Sequence, residues 1–443
     1  MRAEDICQTV LRTCHAAGVS DAVVAVTQSE STMIRISNDQ ITVGDALKEI
    51  SALLFISDNG RKAGTTVVDL SKKGISSAAK KLVEAAKKGP GGGLYAPLPK
   101  GPFHYDQRLL ESESIPIDPK RTVAWADEAV KKAKEQGATR VAGSLTAENG
   151  RVTLQTSGGA FGVSKRGGLE LSLRAFNGQG GSGHSVSVTG IEKEFQPGQA
   201  GEEAGRLAAM AGEPEKGEPG EYTALLGPMT FANLANQAGK MASAFFVDSG
   251  ISFLTDKLGK KVASEVFSLS DDPTKAGGYG AAAFDLEGLP TRRTAIIEKG
   301  VLASYLHNSA TAKKFGVEST SNAGLVAPHA FNLEIGPGES AFEELVSSID
   351  NGIFVSNDWY LRYQSQRTAD FSTIPRDATL TIENGKLARS IKELRISDNL
   401  LRMLSGVTSL SKERKLIKWW EVETPTLAPY AVIEKVKFTR SRM

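Results

Sequence analysis

Five histidines, two cysteines and 51 Asp and Glu residues are the groups in this chain that could carry a proton or hold a metal, so their spacing is the first question. His15, His104, His184, His307 and His329 are scattered, with no ligand spacing among them. No H-E-x-x-H or H-E-x-x-x-H occurs, so the helix of a zinc peptidase is not written out. There is also no G-x-S-x-G elbow and no Walker A loop. Gly178-Gln179-Gly180-Gly181-Ser182-Gly183 matches G-x-G-x-x-G, but His184 to Val188 then alternates as a strand does, whereas a phosphate needs a helix N-terminus there. A loop is the reading. An atypical hydrolytic site would have to be drawn from His307 and His329 with Asp285 and Glu287 upstream. Cys7 and Cys14, seven apart on one predicted helix, share a face with Ile6, Val10 and Leu11 and read as buried thiols.

The elements that must position such residues centre on Phe284 to Gly324. Gly288 and Pro290 end an extended run, Thr294 to Leu306 carries two β-rich runs around Glu298-Lys299-Gly300, and Ser309 to Phe315 suits a short helix closed by Gly316. The polar loop Glu318 to Gly324 follows. This stretch, with its D-x-E-G-x-P-T, I-E-x-G-x-L and Y-L, resembles the core signature of the TldD/PmbA family of peptide-processing metalloproteases. Thr379 to Leu387 is similar to the family's late I-E-N-G hairpin, and Asn351 to Val355 extends the likeness over most of the C-terminal half.

Metal-bearing members of that family carry H-E-x-x-x-H on a helix after a strand ending Leu-Gly-Pro, and a late cysteine completes the zinc site. Here the strand ends Leu226-Gly227-Pro228, and laying the motif on the next helix puts Asn236, Gln237 and Met241 at the positions of His, Glu and His. Amides are poor zinc ligands with no usable pKa, and no cysteine occurs after Cys14. The resemblance therefore implies the metal-free PmbA (TldE) branch: no cofactor in this chain, zinc in a TldD-type partner subunit, and a shared cleft for unstructured peptides or modified precursor peptides. Peptide contacts are expected at Thr320, Ser321 and Asn322 and along Ile382, Glu383 and Asn384, where an extended peptide could add as a strand; the same residues could simply close turns. Two other readings stay open: a self-sufficient homodimeric peptidase or hydrolase with the atypical site above, and a peptide-binding scaffold without activity.

The 443 residues suit two domains, and a composition of 40% hydrophobic residues with 53 basic against 51 acidic groups gives no field that demands nucleic acid or membrane. No apolar run reaches membrane-spanning length and no signal-peptide pattern opens the chain, so a cytoplasmic location is expected. The fold class is α+β. An N-terminal domain, residues 1–212, reads as a duplicated unit of helix plus mixed sheet, two sheets side by side, broken by a Gly- and Pro-rich linker near 89–102. Gly150 is read as a turn within the second copy. A β-rich, barrel- or sandwich-like domain follows over 221–443. Trp419-Trp420 reads as one buried indole and one at an interface.

Overall fold

The computed structural model describes residues 1–91, 93–112 and 114–440; Gly92 of the predicted linker lies outside them. The chain opens with α1 (Ala3–Ala16), β1 (Asp21–Ser37), β2 (Gln40–Asp58), β3 (Arg61–Val67) and α2 (Lys72–Lys88). After a short α3 (Gln107–Leu110) the order recurs as α4 (Pro119–Glu135), β4 (Arg140–Thr156), β5 (Phe161–Phe176), β6 (Ser182–Thr189) and α5 (Pro197–Met210). The apolar stripe of α1, including Cys7 and Cys14, packs with α2 on one half of the sheet, while alanines of α4 and α5 cover the other. Both thiols are free and buried, and burial pushes Cys7 up to about 12.

The expectation of two mixed sheets is corrected. There is one six-stranded sheet, ordered β3-β2-β1-β4-β5-β6, and every pairing in it is antiparallel. β1 and β4 fuse the copies by pairing from Val23–Thr156 to Ile36–Gly143. Gly150 makes no turn: it pairs with both Ser29 and Arg166 in mid-strand, where a Cβ would stand 3.1 Å from Arg166 Nε. Its small size serves close approach rather than a reversal.

The second half contains β7 (Glu215–Lys216), β8 (Gly220–Leu226), α6 (Pro228–Met241), α7 (Ala244–Asp248), β9 (Leu269–Asp271), β10 (Thr294–Glu298), β11 (Val301–Leu302) and α8 (Ser309–Phe315). It continues with β12 (Leu333–Ile335), α9 (Phe342–Ser347), β13 (Asn351–Ser365), β14 (Asp370–Glu383), β15 (Lys386–Lys392) and β16 (Leu394–Asn399). α10 (Leu400–Ser405), β17 (Val407–Trp419) and β18 (Val422–Arg440) end it. The sheet of this half closes on itself, since β8 pairs with β13, β13 with β14, β14 with β16, β16 with β18, and β18 with β8. Against β18 and β13 lies α6, twelve of whose fourteen residues are buried. No helix of the described residues is long and apolar enough to cross a membrane.

Candidate functional site

The helix expected to carry the degenerate metal motif starts where its sequence dictates. Gly227 caps it and Pro228, lacking an N–H that would be orphaned anyway, takes the first turn. The remaining length is apolar and small, so α6 sinks into the core and only Gln237 and Lys240 reach out. With Asn236 they line a polar cleft of about 630 Å³, closed on the far side by Arg362, Gln364 and Glu423. Trp420 stands exposed at this cleft while Trp419 is buried.

Asn236 is fully committed. Its Nδ2 donates to the Thr424 carbonyl at 2.8 Å and to Thr426 Oγ1 at 2.6 Å, and its Oδ1 accepts from the Thr424 amide at 3.1 Å. This side chain clamps α6 to β18. Met241 lies in the hydrophobic core, not in the cleft. A zinc ion does not fit these residues: α6 offers an amide already spent on backbone, a second amide and the Lys240 ammonium, which would repel a cation, and the carboxylates of Glu421 and Glu423 across the cleft come with no imidazole or thiolate to complete a site. Among the described residues, no three His, Cys, Asp or Glu side chains converge as a metal site requires.

The predicted peptide-contact residues lie elsewhere. Thr320, Ser321 and Asn322 are buried in a loop tied to its surroundings by hydrogen bonds, although Asn322 Oδ1 is left without a partner. Thr320 Oγ1 accepts from the His307 amide at 2.7 Å, and Asn322 Nδ2 donates to Asp271 Oδ2 at 2.6 Å and to the His329 carbonyl at 2.9 Å. Ile382 is in the core, Glu383 pairs with Arg389, and Asn384-Gly385 makes the β14–β15 turn with φ of 49° and 72°. Neither group lines the cleft beside α6.

Asp285, Glu287, His307 and His329 likewise hold the scaffold. The Asp285 carboxylate accepts from the amides of Glu287, Leu289 and Ala323 at 2.9 to 3.0 Å, and Glu287 accepts from the amide and hydroxyl of Ser309 at the start of α8. Burial, then Glu287, raises Asp285 to about 7, the amides opposing. His307 sits beside Thr311, with Phe315 packed edge-on, and burial lowers it to about 4. The run from Phe284 to Pro290, read as a strand, is a tight turn pinned by Asp285, with one isolated bridge between its ends.

Sequence reasoning missed the polar groups on β13. Asn357 Nδ2 reaches His184 Nδ1 at 3.0 Å and Asp377 Oδ2 at 3.1 Å, while His184 Nε2 meets Ser172 Oγ at 2.8 Å. Asp358, fully buried, accepts from Asn233 of α6 and Thr373 of β14, and burial pushes it up to about 7. The signal was Ser356-Asn357-Asp358 directly after the apolar run Ile353-Phe354-Val355.

Comparisons agree with this architecture. A family profile for the PmbA/TldA metallopeptidase C-terminal domain matches residues 219–440. Among curated proteins, a metalloprotease of Methanocaldococcus jannaschii is 33% identical over 204 residues, 44% of this chain and 45% of that protein. Metalloprotease PmbA of Escherichia coli O157:H7 is 26% identical over 201 residues, 44% of this chain and 43% of that protein. The matched part spans about half the length of these curated relatives. Over 98% of this chain and 99% of that one, the fold superposes on TldE from Thermococcus kodakarensis with a TM-score of 0.86 at 18% identity. A Thermotoga maritima structure gives 0.86 at 22% identity, covering 98% and 100%. The matched segment is of the PmbA/TldA metallopeptidase C-terminal domain type, and the structures share its fold. The chain belongs to the PmbA/TldD family.

Proposed function

We propose that this chain is a non-catalytic, cleft-forming subunit of a PmbA/TldD-type peptidase, working beside a zinc-bearing subunit that cuts unstructured peptides or trims modified precursors. The observation that carries this is the cleft face of α6: Asn236 is locked onto β18 and Lys240 brings a positive charge where a metal-bearing relative would need imidazole and carboxylate. On that face Gln237 can hydrogen-bond a peptide, but there is no base with which to activate water. The reading takes the assembly to be cytoplasmic, where two free thiols stay reduced. The test is elemental mass spectrometry of the chain purified alone, together with hydrolysis of an unfolded casein with and without an H-E-x-x-x-H relative from the same genome. The expected result is no stoichiometric zinc and no chelator-sensitive cleavage until the relative is added. About one zinc per isolated chain, or cleavage by the chain alone that a chelator stops, would overturn it.

A further inference from the structure

Away from α6, where the β5–β6 turn of the first sheet meets β14 and the β15–β16 connection of the second, lies a pocket of about 300 Å³. Its charges do not balance. Arg174 and Arg376 both line it, and one buried carboxylate, Asp377, serves them. Asp377 is taken by Arg174, Nε to Oδ1 at 2.5 Å, with Arg174 also donating to Ser182 Oγ at 3.1 Å. The remaining charges at the rim cancel nothing further: Glu393 pairs with Lys216, and Lys392 adds a cation.

Arg376 is half-buried and has no carboxylate partner among the described residues. Its guanidinium lies 3.4 Å from the centroid of the Trp359 ring. Such stacking fixes the plane of the guanidinium and leaves its N–H edge free to donate in a fork. Burial, and then the charge of Arg174, pull Arg376 below its ordinary range. A half-buried cation facing a second cation is a costly arrangement that an anion relieves. The walls restrict which anion: Trp359, Ile374, Pro375, Ile391, Leu394 and Pro214 give the pocket a largely apolar lining. Lys392 is exposed to solvent at the rim, so a phosphate dianion would exceed the single charge left uncompensated inside the pocket and gain nothing from those walls.

We infer that this junction pocket is a binding site for a monocarboxylate with an apolar body, its carboxylate held by Arg376 and its body against Trp359, Ile374 and Leu394. The pocket lies at the small end of the volumes that ligand sites occupy, which suits one apolar residue or a branched short-chain acid. Two sources share this chemistry, the C-terminal end of a peptide and a free organic acid.

Titration calorimetry on the full chain with N-acetyl-alanyl-leucine, its C-terminal amide and isovalerate tests the site without any variant. Binding of at least one acid, with at least tenfold weaker binding of the amide, is expected. If the dipeptide acid binds and isovalerate does not, the site takes peptide ends; isovalerate alone assigns free acids. Arg376→Met should abolish the heat, and Arg376→Lys, which keeps charge without the stacked fork, should weaken binding about tenfold. No binding of either acid, binding of the amide equal to that of its acid, or full binding by a folded Arg376→Met chain would overturn the assignment.

Discussion

Asp358 shows what a single buried group does to the pH response. Its Oδ2 is satisfied by Asn233 and Thr373, but its Oδ1 and the Asn233 Oδ1 have no partner, so two acceptors lack a donor. A proton on Asp358 supplies one, in keeping with a carboxyl raised to about 7 by burial. The folded chain then holds this proton from about pH 4 to 7 while the unfolded chain has released it, so its contribution to stability falls as pH rises through that window. Asp271, raised to about 6, acts the same way, whereas His184 and His307, each lowered to about 4, make stability rise with pH over part of the same range. Comparing wild type with Asp358→Asn cancels the other groups, because the amide imitates the protonated acid at every pH. Urea unfolding of the two should give similar stabilities near about pH 3, below the unfolded carboxyl's pKa, with the variant more stable by a few kcal/mol near about pH 8. A gap that does not change with pH would show that Asp358 folds ionised. A second residue-scale outcome concerns the clamp on α6: Asn236→Ala strands the Thr424 amide, while the Thr424 carbonyl keeps the Thr426 hydroxyl, and should cost about 1–3 kcal/mol in the same measurement.

At the scale of elements, α5 packs on α4 through glycines rather than through bulk. A Cβ on Gly201 would lie 2.1 Å from the Ala129 carbonyl oxygen, and one on Gly205 2.6 Å from that of Ala133. Gly201→Ala should therefore destabilise by about 1–3 kcal/mol, even though alanine is the better helix former, while Glu202→Ala on the exposed face should stay within about 0.5 kcal/mol. A neutral or stabilised Gly201→Ala would mean that the helices separate without cost. The same glycines explain a limit of the sequence. Helix α5 was legible only from Glu202, because Pro197-Gly198 and Gly201 argue against helix locally and tertiary contact overrides them. Of the helices with a plain apolar stripe, α1 reads as residues 4–17, within one residue of its ends, and α2 as Ser76 to Lys88, right at its end and one turn late at its start. In the sequence β1 shows as two β-rich runs, Ala22 to Thr27 and Thr32 to Ser37, since Gln28-Ser29-Glu30-Ser31 looks like a break, yet both neighbours pair across it. The helix bearing Asn236 and Gln237 was found by its Leu-Gly-Pro entry, but the cleft it faces was not: β13 and the Trp420–Glu423 region come from remote sequence, and no local pattern announces their convergence.

The two halves of the molecule meet through paired charges. Arg174 and Glu170 of β5 and Glu203 of α5 face Asp377, Lys418 and Lys415 of the second sheet. Of these carboxylates Asp377 is the most deeply buried; burial works to raise it, yet Arg174 and its other partners hold it below the usual carboxylate range. A depressed pKa means stability that is complete above the unfolded value and lost as pH falls through the folded one. Replacing Arg174 by Met reverses that sign. Without its first partner Asp377 becomes a buried carboxyl favoring the proton, so the variant should lose stability progressively as pH rises above about 4, reaching about 3–5 kcal/mol near neutrality. Adding Asp377→Asn to Arg174→Met removes the stranded charge, and the double variant should recover most of that loss at neutral pH and little of it near about pH 4. Urea unfolding at a series of pH values reads all three chains. A loss in Arg174→Met that is flat with pH, or that the second substitution does not recover, would show that the halves are held by their apolar contacts and that this ion pair only fills the seam between them.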